Sequence, residues 1–296
     1  MTHGEKIAGI YHGDCPDGTA AAAVLLKKFP SIKLFPLKHS YEPADFAPIL
    51  EAVDTDTTVY TVDNVLGVET LLPLAKEVIS IDHHIGAKED MEALAKKSAN
   101  FTYVFNNDKS GASLAWMHFF GEETTPELVR LIQDFDIWQW KFGDRTKYAS
   151  RFLIPFVNQP DKLLSFFDAD IETLLQNGHA VSDLADYMVE TFIARAEPTF
   201  LRVGQMKVPA FNAHHMFVSE IGRGLSEKLG SAVIMFRIRG ERVSMSLRSI
   251  EGQSPTALDL ATALGGGGHT HASGAFMPLK KFCEMIAYEN HNTQGA

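Results

Sequence analysis

The sequence predicts an α/β protein, with a parallel-sheet N-terminal domain followed by a smaller α/β C-terminal domain. Three observations predict it. Apolar runs at residues 6–11, 57–62 and 77–81 are each followed by a polar segment and then a helical pattern, as in βαβ units. Each of these runs ends in carboxylates or imidazoles, and in a parallel sheet those ends share one edge. A second strand–helix–strand set begins near residue 208, after a long amphipathic helix.

Residues 6–11 read as the first strand, and the loop 12–18 holds His12, Asp14, Cys15 and Asp17 before an alanine-rich helix over 19–29. An Asx turn at Asp14 and a cap from Asp17 or Thr19 account for part of this loop, but not for His12. A second strand is expected at 32–37 and a helix at 43–53. The β-branched run 57–62 then leads to Asp63. A helix over 71–76 precedes a strand that delivers Asp82, His83 and His84. Successive strand side chains alternate between faces, so the three converge only if the strand stops there. Oxygen and imidazole donors suit Mn, Fe or Zn, and three such loops on one edge point to a metal site.

A strand at 101–105 is followed by Ser110, Gly111, Ala112 and Ser113 at the start of a helix. That turn either caps the helix through Ser110 or offers N–H groups to an anion. A helix over 126–133 ends in Asp134 and Asp136, with Trp138 and Trp140 read as packing residues. Helical patterns dominate 161–202, and 183–196 looks like one continuous connector. Strands follow at 208–212, 232–238 and 242–248, with a helix over 218–229. In the run Gly265–Gly274, four successive glycines beside His269 and His271 suggest an anion nest that could hold a phosphate.

With 296 residues, the chain has room for two domains. A net charge of −10 disfavours binding long duplex nucleic acid, which needs a basic face. It leaves open a small phosphorylated substrate. Only Cys15 and Cys283 occur, no membrane-length apolar run is present, and residues 1–6 lack the apolar core of a signal peptide. A cytoplasmic protein without membrane association is therefore expected. There are no internal repeats.

The order His12, Asp17-Gly18, Asp63, Asp82-His83-His84, Asp134 and the glycine run 265–274 resembles that of the DHH phosphoesterase superfamily with its DHHA1 domain. The resemblance covers nearly the whole chain. It implies a DHH domain over 1–182, a helical linker over 183–202 and a DHHA1 domain over 203–296, with the active site in the cleft between domains. It also implies two divalent ions, usually Mn2+, with Mg2+ or Co2+ as alternatives. By matching position, the implied metal ligands are His12, Asp17, Asp63, Asp82, His83 and Asp134, with Asp136 a competitor for the last place. His84 is expected near the scissile phosphate, in a catalytic group with Asp82 and His83. One motif departs from the family: two residues before Asp17 stands Cys15, and Asp14 lies one further back. Either can fill the place, and Asp14 is the expected ligand.

The implied activity is hydrolysis of phosphodiester or phosphomonoester bonds in short oligonucleotides, dinucleotides or pAp. Arg248, Gly266, Gly267, Gly268, His269, His271 and Ser110 are expected to bind substrate. An exopolyphosphatase and a non-catalytic nucleotide sensor are the alternatives. A homodimer is compatible with the sequence.

Overall fold

In the computed structural model, which describes residues 6–38 and 41–287, five parallel strands form the first sheet. These are β1 (Lys6–His12), β2 (Lys33–Leu37), β3 (Thr57–Val62), β4 (Glu77–Asp82) and β5 (Phe101–Phe105), in the order β2-β1-β3-β4-β5. The strand order reverses at β1, so a crevice opens between the C-terminal ends of β1 and β3. His12 closes β1, Asp63 follows β3 and Asp82 closes β4.

Pleat alternation gives each face of the sheet its own core. Ala8, Ile10, Val59, Val78 and Phe101 face one layer, where they pack with Phe46 and Ile49 of α2 (Pro43–Ala52) and Met91 of α4 (Lys88–Lys97). A short α3 (Val68–Leu71) closes that layer, replacing the helix expected at 71–76. Tyr11, Val62 and Ile81 face the other layer, against α1 (Pro16–Lys28), α5 (Gly111–Phe120) and α6 (Glu127–Asp136). Pro16 starts α1 with its φ preset for a helix. Ala20, Ala21, Ala22 and Ala23 are fully buried, and their small side chains let α1 lie close to its neighbours. Gly9 serves the same end, since a Cβ there would meet Leu34 Cδ2 at 2.7 Å and Leu25 Cδ1 at 2.9 Å. Three further helices, α7 (Asp144–Leu153), α8 (Pro160–Phe166) and α9 (Ile171–Arg195), add to this second layer, α9 through Leu174 and Leu175.

Within α9, at Asp183/Leu184, the chain divides into two compact units. The second unit holds a six-stranded mixed sheet in the order β10-β11-β9-β8-β7-β6. Its strands are β6 (Thr199–Val203), β7 (Met206–Asn212), β8 (Val233–Arg239), β9 (Arg242–Arg248), β10 (Gly267–Gly268) and β11 (Ala272–Pro278). Helices α10 (Val218–Leu229), α11 (Ala257–Ala263) and α12 (Leu279–Glu284) complete the unit. Val243, Met245 and Leu247 alternate inward along β9 and build the core with Leu260 and Ala261 of α11.

One expectation needs correction. Helix does not persist to residue 202: β6 begins at Thr199 and turns into β7 through Gly204, at φ 60°. Part of the glycine run lies in the sheet, where Gly267 and Gly268 pair with Gly274 and Ser273 of β11. A Cβ on Gly266 would lie 2.0 Å from the Gly274 carbonyl oxygen, so close backbone approach accounts for that glycine. Residues 288–296 of the expected second domain lie outside the described residues.

Leu25 is fully buried where α1 meets the sheet. Leu25→Ala should destabilise the first unit by about 2–5 kcal/mol, read as a lower urea midpoint for its unfolding transition.

Candidate metal centre

The site is built around Asp63. This residue sits just past β3 at φ 52°, a left-handed conformation that is rare without glycine, and its N–H donates to the Ile81 carbonyl at 2.9 Å. The turn sends its carboxylate into the crevice, where it is 1% exposed. Oδ2 lies 3.3 Å from His12 Nδ1 and Oδ1 lies 3.0 Å from His83 Nε2. A neighbour with a side chain would not fit, since a Cβ on Gly111 would stand 2.5 Å from Asp63 Cβ.

His12 is held by β1 and by the first turn of α1. A Cβ on Gly18 would fall 2.2 Å from the His12 carbonyl oxygen, so the helix can start here only with glycine at that position. Asp17, in the same turn, is also buried. The Ala112 N–H donates to it at 3.2 Å, and the neighbouring Ser110 hydroxyl favours its charged form. The anion at the α5 N-terminus is thus a side chain of the protein itself. Ser110 is fully buried, and its oxygen also accepts the Ser113 N–H at 3.3 Å. Ser110, expected to touch substrate, is buried here as the cap of α5.

Asp82 and His83 are buried at the end of β4. Asp82 Oδ1 pairs with His84 Nδ1 at 2.7 Å, and Oδ2 accepts the His84 N–H at 3.2 Å. This fixes the His84 ring while 17% of its side chain stays exposed.

The remaining carboxylate is Asp136, not Asp134. Asp136 Oδ2 lies 3.5 Å from His83 Nε2, and this oxygen is buried without a hydrogen-bond partner. Asp134 is consumed by the following turn. Its carboxylate accepts the Lys141 N–H at 2.9 Å, the Phe142 N–H at 3.2 Å and the Thr146 hydroxyl at 2.5 Å. These bonds hold the turn in which Trp138 and Trp140 adopt φ 58° and 54°. Helical spacing put both acids at the end of α6, and only the path of the chain beyond it separates their roles.

Asp14 is likewise corrected. At φ 63° it faces outward, with Oδ2 2.6 Å from Lys38 Nζ and Oδ1 accepting from Asn158 Nδ2 at 2.8 Å. Cys15 faces the crevice instead.

Ligand atoms of three groups each lie within 4.8 Å of one another: His12, Cys15 and Asp63; Asp17, Asp63 and His83; and Asp63, Asp82 and His84. Asp63 belongs to all three. Burial pushes Asp17 well above the carboxylate range, with Asp136 and Asp63 adding to the effect, and burial also raises Asp136, against the pull of His83. Burial opposes ionisation of Asp63 and Asp82 too, but the adjacent histidines hold both low. Burial pulls the histidines down, yet the carboxylates prevail and raise His83 to about 10 and His84 to about 9. The Cys15 thiol is pushed up by burial and by Asp63, Asp136 and Asp17. Crowded carboxylates, imidazoles and an orphaned buried oxygen make a donor set that fits divalent cations.

In the second unit, the expected substrate residues cluster around β9 and β11, where Arg248 pairs with Ala272. The Arg248 guanidinium donates to the Leu247 carbonyl at 2.9 Å and to the Ser219 hydroxyl at 3.0 Å, and burial pulls it down to about 10. His269 closes the β10–β11 turn through its N–H to the Ala272 carbonyl at 2.9 Å. His271 Nδ1 pairs with Ser249 Oγ at 2.9 Å.

No family model matches the sequence. An uncharacterized protein, R106, of Acanthamoeba polyphaga mimivirus is 25% identical over 317 aligned positions, covering 97% of this chain and 73% of its own. Among solved structures, RecJ from Thermus thermophilus in complex with Mn2+ matches at a TM-score of 0.51 and 17% identity, over 95% of this chain and 51% of RecJ. The chain shares the fold of this RecJ structure. PggH of Vibrio cholerae, a pGpG-specific phosphodiesterase, matches at a TM-score of 0.48 and 15% identity, over 94% of this chain and 96% of PggH. Within the first unit, sequence reasoning left Cys15 and Asp136 as alternatives to Asp14 and Asp134, and it missed Gly111 as the residue that admits Asp63. Gly111 was visible only as part of a capping turn.

Three measurements check this site. Asp136→Asn should weaken divalent-metal affinity at least about 10-fold in calorimetric titration with little loss of stability. Asp134→Ala should instead cost about 1–3 kcal/mol of stability or more, because buried N–H groups lose their acceptor. In metal-free protein, folded His83 and His84 keep protons that unfolded imidazoles release near 6.5. Their stabilisation is complete below that pH and is lost as pH rises through about 9 and 10. The melting temperature of chelator-treated protein should therefore fall across this window.

Proposed function

We propose that the chain is a divalent-metal-dependent phosphohydrolase acting on phosphodiester or phosphomonoester bonds of small nucleotides: short oligonucleotides, dinucleotides or pAp. The observation that carries this reading is the sharing of Asp63 among three groups of potential metal ligands in one buried crevice. His12, Asp17, Asp63, Asp82, His83 and Asp136 would hold two ions. Mn2+ is the proposed metal, supported by the oxygen and imidazole donors and by the Mn2+ in the RecJ structure of the same fold. When bound, the ions would supply Lewis-acid charge that activates water and stabilises the phosphoryl transition state.

The protein's own groups do the rest. Asp63 presents one oxygen toward His12 and the other toward His83, so its carboxylate could be shared by two ions. Asp82 orients the His84 ring and favours its protonated form, so His84 can donate a proton or hydrogen bond to a phosphoryl or departing oxygen. Its exposed edge gives a substrate access. Arg248, Gly266, Gly267, Gly268, His269 and His271 are assigned to a terminal phosphate. The net charge of −10 supports a small substrate over a long duplex. No helix among the described residues is long and apolar enough to cross a membrane.

The test is Mn2+-dependent release of mononucleotide from a dinucleotide, run beside polyphosphate. His84→Ala should lower kcat by about 10²–10³-fold, and Asp82→Ala by at least as much. Wild-type turnover by Asp82→Ala would sink the assignment. Faster cleavage of polyphosphate would move the substrate to phosphoanhydrides, and nucleotide binding without turnover would indicate a sensor.

A further inference from the structure

Cys15 is a donor in the crevice that an oxygen-and-nitrogen metal site leaves unused. Its Sγ and ligand atoms of His12 and Asp63 all lie within 4.8 Å of one another. Cys15 occupies the N-cap of α1, where Ser, Thr, Asp or Asn would serve best, yet its side chain makes no capping bond. Its carbonyl accepts the Thr19 N–H at 3.0 Å and the Thr19 hydroxyl at 2.7 Å, which fixes the backbone that carries the sulfur. The nearest alternative carboxylate in the loop, Asp14, is turned away to Lys38 and Asn158. An ion between His12 and Asp63 would therefore meet sulfur as the loop's contribution.

We infer that His12, Cys15 and Asp63 form a nitrogen–sulfur–oxygen position for a thiophilic divalent ion of the zinc, cobalt or iron(II) class. Beside it, Asp17, Asp63 and His83 form an oxygen-and-nitrogen position suited to Mn2+. Thiolate selects for the former ions, whereas carboxylate and imidazole accept Mn2+. The two oxygens of Asp63 face the two positions separately, so one carboxylate can serve both. On binding, the Cys15 S–H bond breaks, a sulfur–metal bond forms and the proton passes to solvent. No oxidant or reductant is required. The inference rests on the proposed metal-dependent function and adds that the two positions are chemically unlike.

Chelator-treated full-length protein should be titrated with Co2+ and followed by absorption and calorimetry. The expected result is two bound ions, one of them showing thiolate-to-cobalt charge transfer in the near ultraviolet. Cys15→Ser should lose this band, and affinity at that position should fall by more than the about 10–100-fold typical of outer partners. Cys283→Ser, which alters the other cysteine, should retain the band. Cys15→Asp should still bind two ions, without the band, and should shift competition between Zn2+ and Mn2+ toward Mn2+. X-ray absorption of zinc-loaded wild-type protein should show one sulfur at about 2.3 Å, and this reading needs no variant to fold. Two bound Co2+ ions with neither charge transfer nor sulfur would overturn the inference while leaving the phosphohydrolase reading intact. No binding of Co2+ or Mn2+ would overturn both.

Discussion

The burial of the Asp63 carboxylate between two imidazoles is the constraint on which the rest of the site depends. Placing a charge there is unfavourable unless it is paired, and His12 and His83 approach it from two different strands. The cost extends to the backbone, which turns left-handed at Asp63 to aim the side chain inward. Gly111 and Gly18 follow from the same constraint, because a methyl group at Gly111 would strike Asp63 and one at Gly18 would strike His12.

The surrounding acids divide the work of structure and chemistry. Asp134 gives its carboxylate to donors in the following turn and stabilises it. Asp136, two residues on, keeps a buried oxygen with no hydrogen-bond partner beside His83. Asp17 is held by the N-terminus of α5, where peptide N–H groups and the helix dipole favour negative charge. The acids that remain poorly compensated are those that a cation would relieve.

Much of this was legible in sequence. The runs before His12, Asp63 and Asp82 read as strands because β-branched and apolar residues precede an abrupt polar switch, and the triplet Asp82-His83-His84 appears in its final place. The choice between Asp14 and Cys15 was not legible. Adjacent residues in a loop point in different directions, and the direction depends on Lys38 and Asn158, which are distant in sequence. Asp134 and Asp136 posed the same problem at a helix end. The anion at the Ser110 turn was foreseen as a ligand and turned out to be Asp17, because only packing of α1 against α5 brings the two together.

The sequence by itself determined that strands would end in metal-binding residue types and that glycines would stand where backbones meet. Those are local properties, set by periodicity and by what each side chain can do. The tertiary structure alone decided which of two neighbouring donors turns inward, that Asp63 is shared by three groups, and that sulfur stands where the family resemblance led to an expected carboxylate. These outcomes depend on contacts among β1, β3, β4, α5 and α6, and no local pattern encodes the direction of a side chain that distant residues compete to hold.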